Sequence, residues 1–308
     1  MAIKEYLLSV SFLLLLTLVP FTTQSKPNAN PFGFLKSLEG SKKGQNVDGL
    51  HQLKMYLRKF GYLKNHHVSQ NEVTTSSTIK EDNKLFDESL EKAIKLYQRN
   101  YRLNTTGHLD GATVKQMMNP RCGCPDIVKG RNTMQHKHNK TSLYVIKGSK
   151  WPSSKYELTF KILSKTLVPG AGNMTVMVTA SLNTWRQYSP FMFQEVPEDS
   201  KSDLVFGFFN GDHGDGRPFD GPKGILAHAF YPQDGRSHYD ATEDWSEDPG
   251  PDQFDLYSVP LHEIGHLLGL AHSADPSAVM YPTINPGERK RGLQPDDIQG
   301  IQAIYGPI

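Results

Sequence analysis

The chain has 308 residues, 37% of them hydrophobic and 21% charged, with 34 basic against 32 acidic side chains and a formal net charge of +2. That length suffices for two modest domains, and so balanced a charge excludes the electrostatic footprint of a nucleic-acid binder. Two cysteines in all exclude a disulfide scaffold, so stability must come from a hydrophobic core, with bound metal as the other source.

Leu7 to Val19 is an apolar run preceded by Lys4 and ended by Pro20, with small residues at Thr23 and Ser25. It is too short for a comfortable membrane span and reads as a secretory signal peptide over residues 1–25, a membrane anchor being the competing reading. The last residues, Tyr305 to Ile308, carry no hydrophobic tail, so neither a lipid-anchor signal nor a second span is expected. Secretion to an extracellular space, apoplast or matrix, permits glycosylation at the sequons of Asn104, Asn139 and Asn173.

A polar stretch runs to about Asn46, and three helical patterns follow. Leu50, Leu53, Leu57 and Phe60 share one face, as do Leu90, Ile94 and Tyr97, while Thr113, Val114, Met117 and Met118 predict a short third helix. The polar loop between the first two holds His66 and His67, which read as a solvated pair because no cysteine or carboxylate stands at ligand spacing from them. The region reads as a small all-α bundle. Ile127 to Thr141 lacks periodicity and carries Lys129, Arg131, Lys137 and Lys140, as an exposed, protease-sensitive linker does.

Beyond it the pattern is mixed, giving an α+β chain. Tyr156, Leu158, Phe160 and Ile162 alternate as in a half-buried strand, and Val178, Leu182 and Trp185 have helical spacing. Asp203 to Phe209 and Ile225 to Tyr231 read as strands. Ser258 is expected to N-cap the next helix, with Pro260 in its first turn, where a missing N–H costs little. Ile298, Ile301 and Ile304 predict a closing helix entered near Pro295.

That middle helix carries the most informative run, His262-Glu263-Ile264-Gly265-His266-Leu267-Leu268-Gly269-Leu270-Ala271-His272-Ser273. His262 and His266 are four apart and share a helix face, so both can bind one ion. Gly269 lets the chain leave the helix left-handed and return His272 as a third ligand. Three protein ligands leave a position for water, the mark of a catalytic zinc, and Glu263 beside them can act as base on that water. The alternative is a core helix with solvent-facing histidines, but Ile264, Leu267, Leu268 and Leu270 already fill the buried face. The pattern is the extended metzincin signature.

Gly211 to Trp245 is dense in ligand-type residues. His213, Asp215, His228 and His238 make a four-ligand set suited to a closed, structural zinc, while Asp220, Asp240 and Glu243 offer hard oxygens suited to calcium. A merely polar loop fits the same spacing. Cys122, in Pro120-Arg121-Cys122-Gly123-Cys124-Pro125-Asp126, can close the open zinc position as a thiolate; ordinary free thiols or a strained Cys122–Cys124 bridge fit equally well. Met280 is by itself core packing.

Together these motifs resemble the matrix metalloproteinases, the matrixin branch of the metzincins, over nearly the whole chain, in the plant-type secreted form without a hemopexin-like domain. Ser273 after the third histidine looks like the matrixin form, Pro120 to Asp126 like the cysteine switch, and Asn210 to Asp215 with Leu226 to Phe230 like the structural-metal segment. The resemblance implies a catalytic domain at 141–308, with a twisted five-stranded sheet and three helices, behind a peptidoglycan-binding-like propeptide at 26–140. It implies catalytic zinc on His262, His266 and His272, held by Cys122 in the latent form, and structural zinc on His213, Asp215, His228 and His238. It implies calcium at Asp220, Gly221, Lys223, Ile225, Asp240 and Glu243, and a second calcium at Asp203, although Arg236 stands where that site wants an aspartate. Leu226 and Ala227 pair with an extended substrate, Tyr281 and Pro282 wall the specificity pocket, and Met280 is the Met-turn residue under the zinc.

The expected activity is therefore hydrolysis of extracellular or cell-wall matrix proteins, including collagen-like ones, by a latent monomer without a stable membrane anchor, with protein substrates, an activating protease and protein inhibitors as partners. Cys124 departs from the switch pattern, and the linker has no dibasic pair for a furin-type activator. The rival is a non-catalytic wall- or matrix-binding protein, which the intact Glu263 and three histidines oppose.

Overall fold

The computed structural model describes residues 30–64, 84–134, 150–163 and 167–308. The 1–25 leader, the His66–His67 pair, the Asn139 sequon and the 140/141 boundary lie outside them. Among the described residues, no helix is long and apolar enough to cross a membrane.

The first part is helical: α1 (Leu50–Lys59), α2 (Glu88–Asn100) and α3 (Gly111–Met117). The faces expected from spacing are the buried ones, with Leu50, Leu53, Leu57, Leu90, Ile94 and Tyr97 in one cluster. Asp87 and Asp110 cap α2 and α3, each accepting the N–H three residues on, at 2.7 and 2.8 Å.

A two-residue strand, β1 (Arg121–Cys122), and a small antiparallel hairpin, β2 (Ile127–Val128) and β3 (Arg131–Asn132), follow. Then come β4 (Glu157–Leu163), α4 (Met174–Arg186), β5 (Met192–Glu195), β6 (Leu204–Phe209), β7 (Ile225–Ala229) and β8 (Arg236–Asp240). The short parallel pair β9 (Trp245–Ser246) and β10 (Phe254–Asp255) leads into α5 (Ser258–Leu267), and α6 (Pro295–Tyr305) closes the chain.

The main sheet has the order β1-β7-β8-β6-β4-β5, with only β7 and β8 antiparallel. Five of its strands lie in 157–240, and three helices belong to the same part, as expected. The sixth strand was not expected. It is β1, which carries Cys122 and lies along the outer edge of β7.

The N-cap expectation at Ser258 is off by one residue. Ser258 opens α5, and its N–H and hydroxyl both go to Asp255, so its oxygen caps nothing in the helix. Ten buried residues make up α5, which accordingly lies wholly inside. Trp185 Nε1 on α4 donates to the Leu261 carbonyl at 2.8 Å and ties α4 to α5.

Two apolar clusters result. One joins the sheet to α4, α5 and α6 through Trp185, Phe206, Tyr239 and Trp245. The other fills the helical bundle and recruits Phe219, Ile225 and Ala274 from the second part, so the bundle packs directly on the β7 edge.

Candidate active site

The signature segment folds as its spacing predicts. His262 and His266 project from one face of α5, and their Nε2 atoms lie 3.1 Å apart. Gly269 has φ +101°, a conformation other residues disfavour, and the chain turns there. The turn brings the Leu270 carbonyl to 2.8 Å from His266 Nδ1, and His272 back to the other two rings.

All three Nδ1 atoms face acceptors: His262 the Val279 carbonyl at 2.7 Å, His266 that of Leu270, and His272 the Asp126 carboxylate at 2.7 Å. Each ring therefore carries its proton on Nδ1 and presents a lone pair from Nε2. Three lone pairs converge on one point, and His272 Nε2 is buried without a hydrogen-bond partner. Burial holds His262 and His272 below the ordinary histidine range, favouring the neutral, ligating form. Such an array is repulsive until a cation fills it, so the residues fit a metal ion.

Cys122 Sγ lies 3.4 Å from His266 Nε2, and the four ligand atoms of Cys122, His262, His266 and His272 fall within 4.8 Å of one another. The strand that delivers it fills the cleft. Arg121 N–H donates to Gly224 O at 3.0 Å and Gly123 N–H to Ala227 O at 2.8 Å on one wall, and Cys122 N–H to Pro282 O at 2.9 Å on the other. Cys124, also free, is fully buried, with Sγ 3.3 Å from the Ala229 carbonyl and within 4.8 Å of ligand atoms of Cys122, Glu263 and His266. Both Glu263 oxygens are buried without a partner, and burial pushes the carboxyl up to about 8. Leu226, Val259, Tyr281 and Pro282 line a pocket that reaches His262 and Glu263.

A second cluster lies beyond β7. Asp215 Oδ2 is 2.8, 2.7 and 2.8 Å from His213 Nε2, His228 Nε2 and His238 Nδ1, and the four groups could hold one ion. The polar-loop reading of this segment gives way to a compact set walled by Phe209, Phe219 and Phe230.

Comparison with known proteins decides the family. The Matrixin family model matches residues 150–306, and a peptidoglycan-binding domain model matches 46–117. The chain is 39% identical over 289 residues to Metalloendoproteinase 2-MMP of Arabidopsis thaliana, covering 87% of this chain and 73% of that one. It is 39% identical to Metalloendoproteinase 1 of Glycine max, covering 85% and 84%, and 37% identical to Matrix metalloproteinase-16 of Homo sapiens, covering 71% and 37%. The chain belongs to the matrixin family.

This matrixin is a zinc metalloendopeptidase, and proteins are its substrates. Met280 packs below its triad: a Cβ on Gly265 would meet the Met280 sulfur at 2.2 Å. Asp297, buried on α6, accepts the Val279 and Met280 N–H groups at 2.9 and 3.0 Å and fixes the turn. Sequence reasoning missed Asp297, and it missed the bond from His272 to Asp126, whose partners are 146 residues apart. Asp126 also pairs with Arg121 at 2.7 Å and takes the Tyr62 hydroxyl at 2.8 Å, linking the Cys122 segment to the helical bundle.

The acidic residues near Gly221 sort into two groups. Asp220, Asp240 and Glu243 stand together, and burial raises all three carboxyls, Glu243 to about 8. Asp240 Oδ2 is buried without a partner, while Glu243 takes the Lys223 N–H and Asp220 that of Ile225. Asp203 lies elsewhere, its oxygens bound by Lys155 at 2.6 Å and by Thr159 at 3.0 Å, which argues against a second calcium there. Asn104 and Asn173 are exposed.

Proposed function

We propose that this matrixin is a secreted endopeptidase made as a latent precursor, and that catalysis begins when Cys122 leaves the three histidines. The observation that carries the reading is the Cys122 sulfur within 4.8 Å of a ligand nitrogen of each of the three imidazoles, close enough to share one ion with them, on a strand that fills the substrate cleft. Zinc on the triad supplies Lewis acidity and a water that ionises near neutral pH.

The chain's own residues do the rest. Glu263, buried and without a protein partner, is placed to take a proton from the attacking water and deliver it to the leaving amine. With the Cys122 strand gone, the Gly224 and Ala227 carbonyls are free to accept N–H groups of an extended substrate on the β7 edge, beside Leu226. Tyr281 and Pro282 wall the pocket for one substrate side chain. The residues divide into a propeptide at 26–140 and a catalytic domain at 141–308, released by another protease or by autolysis.

Structural zinc fits His213, Asp215, His228 and His238, since four ligands leave no place for water. Calcium fits Asp220, Asp240 and Glu243 with the backbone of Gly221, Lys223 and Ile225, because a divalent ion relieves the repulsion among three buried carboxylates. Glycosylation at Asn104, Asn139 and Asn173 belongs to the same secreted reading.

Glu263→Ala tests the base. The variant is expected to keep its zinc by metal analysis and its fold by circular dichroism, while losing at least ~100-fold in turnover of a quenched peptide. Substantial retained activity sinks the assignment. Bound zinc with no cleavage by the activated wild type favours the wall-binding reading.

A further inference from the structure

One cation of the cleft has no role in this account. Arg217 lies in the loop between β6 and β7, outside both ligand sets. Its Nη1 donates to the Ala229 carbonyl at 3.2 Å, and its guanidinium carbon sits 4.4 Å from the Phe230 ring centre. Among the described residues its side chain makes no ion pair. Asp215 does not neutralise it directly: Oδ1 takes the Arg217 backbone N–H at 2.8 Å, and Oδ2 faces three imidazoles. Arg236 flanks the same Phe230 ring at 4.1 Å, but is held by Asp234 at 2.7 and 2.8 Å. Arg217 is thus the uncompensated charge, with most of its five N–H donors unspent.

Its position along β7 gives it a direction. Leu226 lines the pocket at one end of the strand, whereas Ala229 lies at the other, past the register position of Cys122 opposite Ala227. In this structure the Ala229 carbonyl is also contacted by Cys124 Sγ at 3.3 Å, so the switch segment stands where a substrate residue would pair. A peptide that replaces the segment brings its backbone N–H to that carbonyl and its side chains beside the guanidinium. A planar fork of unspent donors, backed by an aromatic ring and short of a counter-charge, matches a carboxylate.

We infer that Arg217 determines specificity, selecting substrates with a glutamate or aspartate in the stretch that pairs with Ala229, on the side of the triad away from the Tyr281 pocket. The inference rests on β7 as the substrate edge. The test uses the activated enzyme and one cleavable quenched peptide, with Glu, Gln or Lys placed in turn at the two or three positions on that side. Wild type should show a kcat/KM for Glu about five times that for Gln at one position, with Lys poorer still, and the ratio should shrink in high salt. R217Q should bring the Glu-to-Gln ratio to one, while R236Q, whose partner is Asp234, should keep it. The salt dependence in wild type holds the test open if R217Q misfolds. Equal rates for Glu and Gln at every position, or a preference that survives R217Q, overturns the inference alone. A peptide set that is not cleaved at all overturns the peptidase reading and this inference with it.

Discussion

Cys122 and Cys124 are two residues apart and both buried, yet they meet different partners. Cys122 Sγ lies 3.4 Å from His266 Nε2 and Cys124 Sγ 3.3 Å from the Ala229 carbonyl, but residues two apart in an extended segment share a side, and both sulfurs fall within 4.8 Å of ligand atoms of Glu263 and His266. Only Cys122 groups with all three histidines, which is what sets the two thiols apart. Cys122→Ser is expected to yield a precursor that cleaves peptide without activation, whereas Cys124→Ser remains latent, measured as activity of the full-length chain before and after processing. Latency lost in Cys124→Ser alone would reverse the assignment. At this scale the sequence was informative where ligands sit close together: His262, Glu263, His266 and His272 fall in eleven residues, and helical spacing alone aligns the first and third of them. It was silent on Asp297 and on the Asp126–His272 bond, since an aspartate 17 or 146 residues from its partner carries no local signal. The sequence likewise left a Cys122–Cys124 bridge open, whereas both thiols are free in the structure.

At the level of elements, the helices were legible and the short strands were not. Periodicity exposed α1, α2, α4 and α6, whose apolar faces each pack one way. Met192–Glu195 and Arg236–Asp240 look polar in sequence; they become strands because neighbours pair with them, a property of the sheet and not of the segment. The active-site helix depends on a close approach. A methyl at Gly265 would lie 2.2 Å from Met280 Sδ and 3.0 Å from Trp185 Cζ2. Gly265→Ala should cost about 1–3 kcal/mol in thermal unfolding and weaken zinc retention. No loss on either measure would mean the Met-turn yields freely. In the helical bundle, Asp87 caps α2 and holds buried Lys54 at 2.8 Å. Burial would raise its carboxyl, but hydrogen bonds from Lys54, Ser89 and the Leu90 N–H outweigh that and hold it at about 2. A depressed carboxyl stabilises the fold above its unfolded pKa of roughly 4, and that share is lost as pH falls from there through about 2. Acid titration of the full-length Glu263→Ala chain by circular dichroism should show this loss, and Asp87→Asn should flatten it. An unchanged profile would remove Asp87 from the account.

Across the whole molecule, two cores meet at one strand. The helical bundle packs on Phe219, Ile225 and Ala274, its aromatic pocket holds Arg121 3.4 Å above the Phe60 ring, and Asp126 joins that arginine to His272. The segment that carries Cys122 is thus anchored at both ends, by the bundle behind it and by β7 and Pro282 beside it. The two-part organisation was readable from the change of periodicity near residue 150, but this anchoring was not, because it is built from contacts between parts that sequence treats separately. The claim that joins them is that Cys122 is the fourth ligand of the catalytic zinc until the precursor is processed. X-ray absorption at the zinc edge of the full-length chain tests it most directly. The account predicts one sulfur neighbour near 2.3 Å for every two zinc ions in the precursor, absent in Cys122→Ser and in the processed enzyme. A precursor spectrum without sulfur, or a sulfur that survives processing, would contradict it.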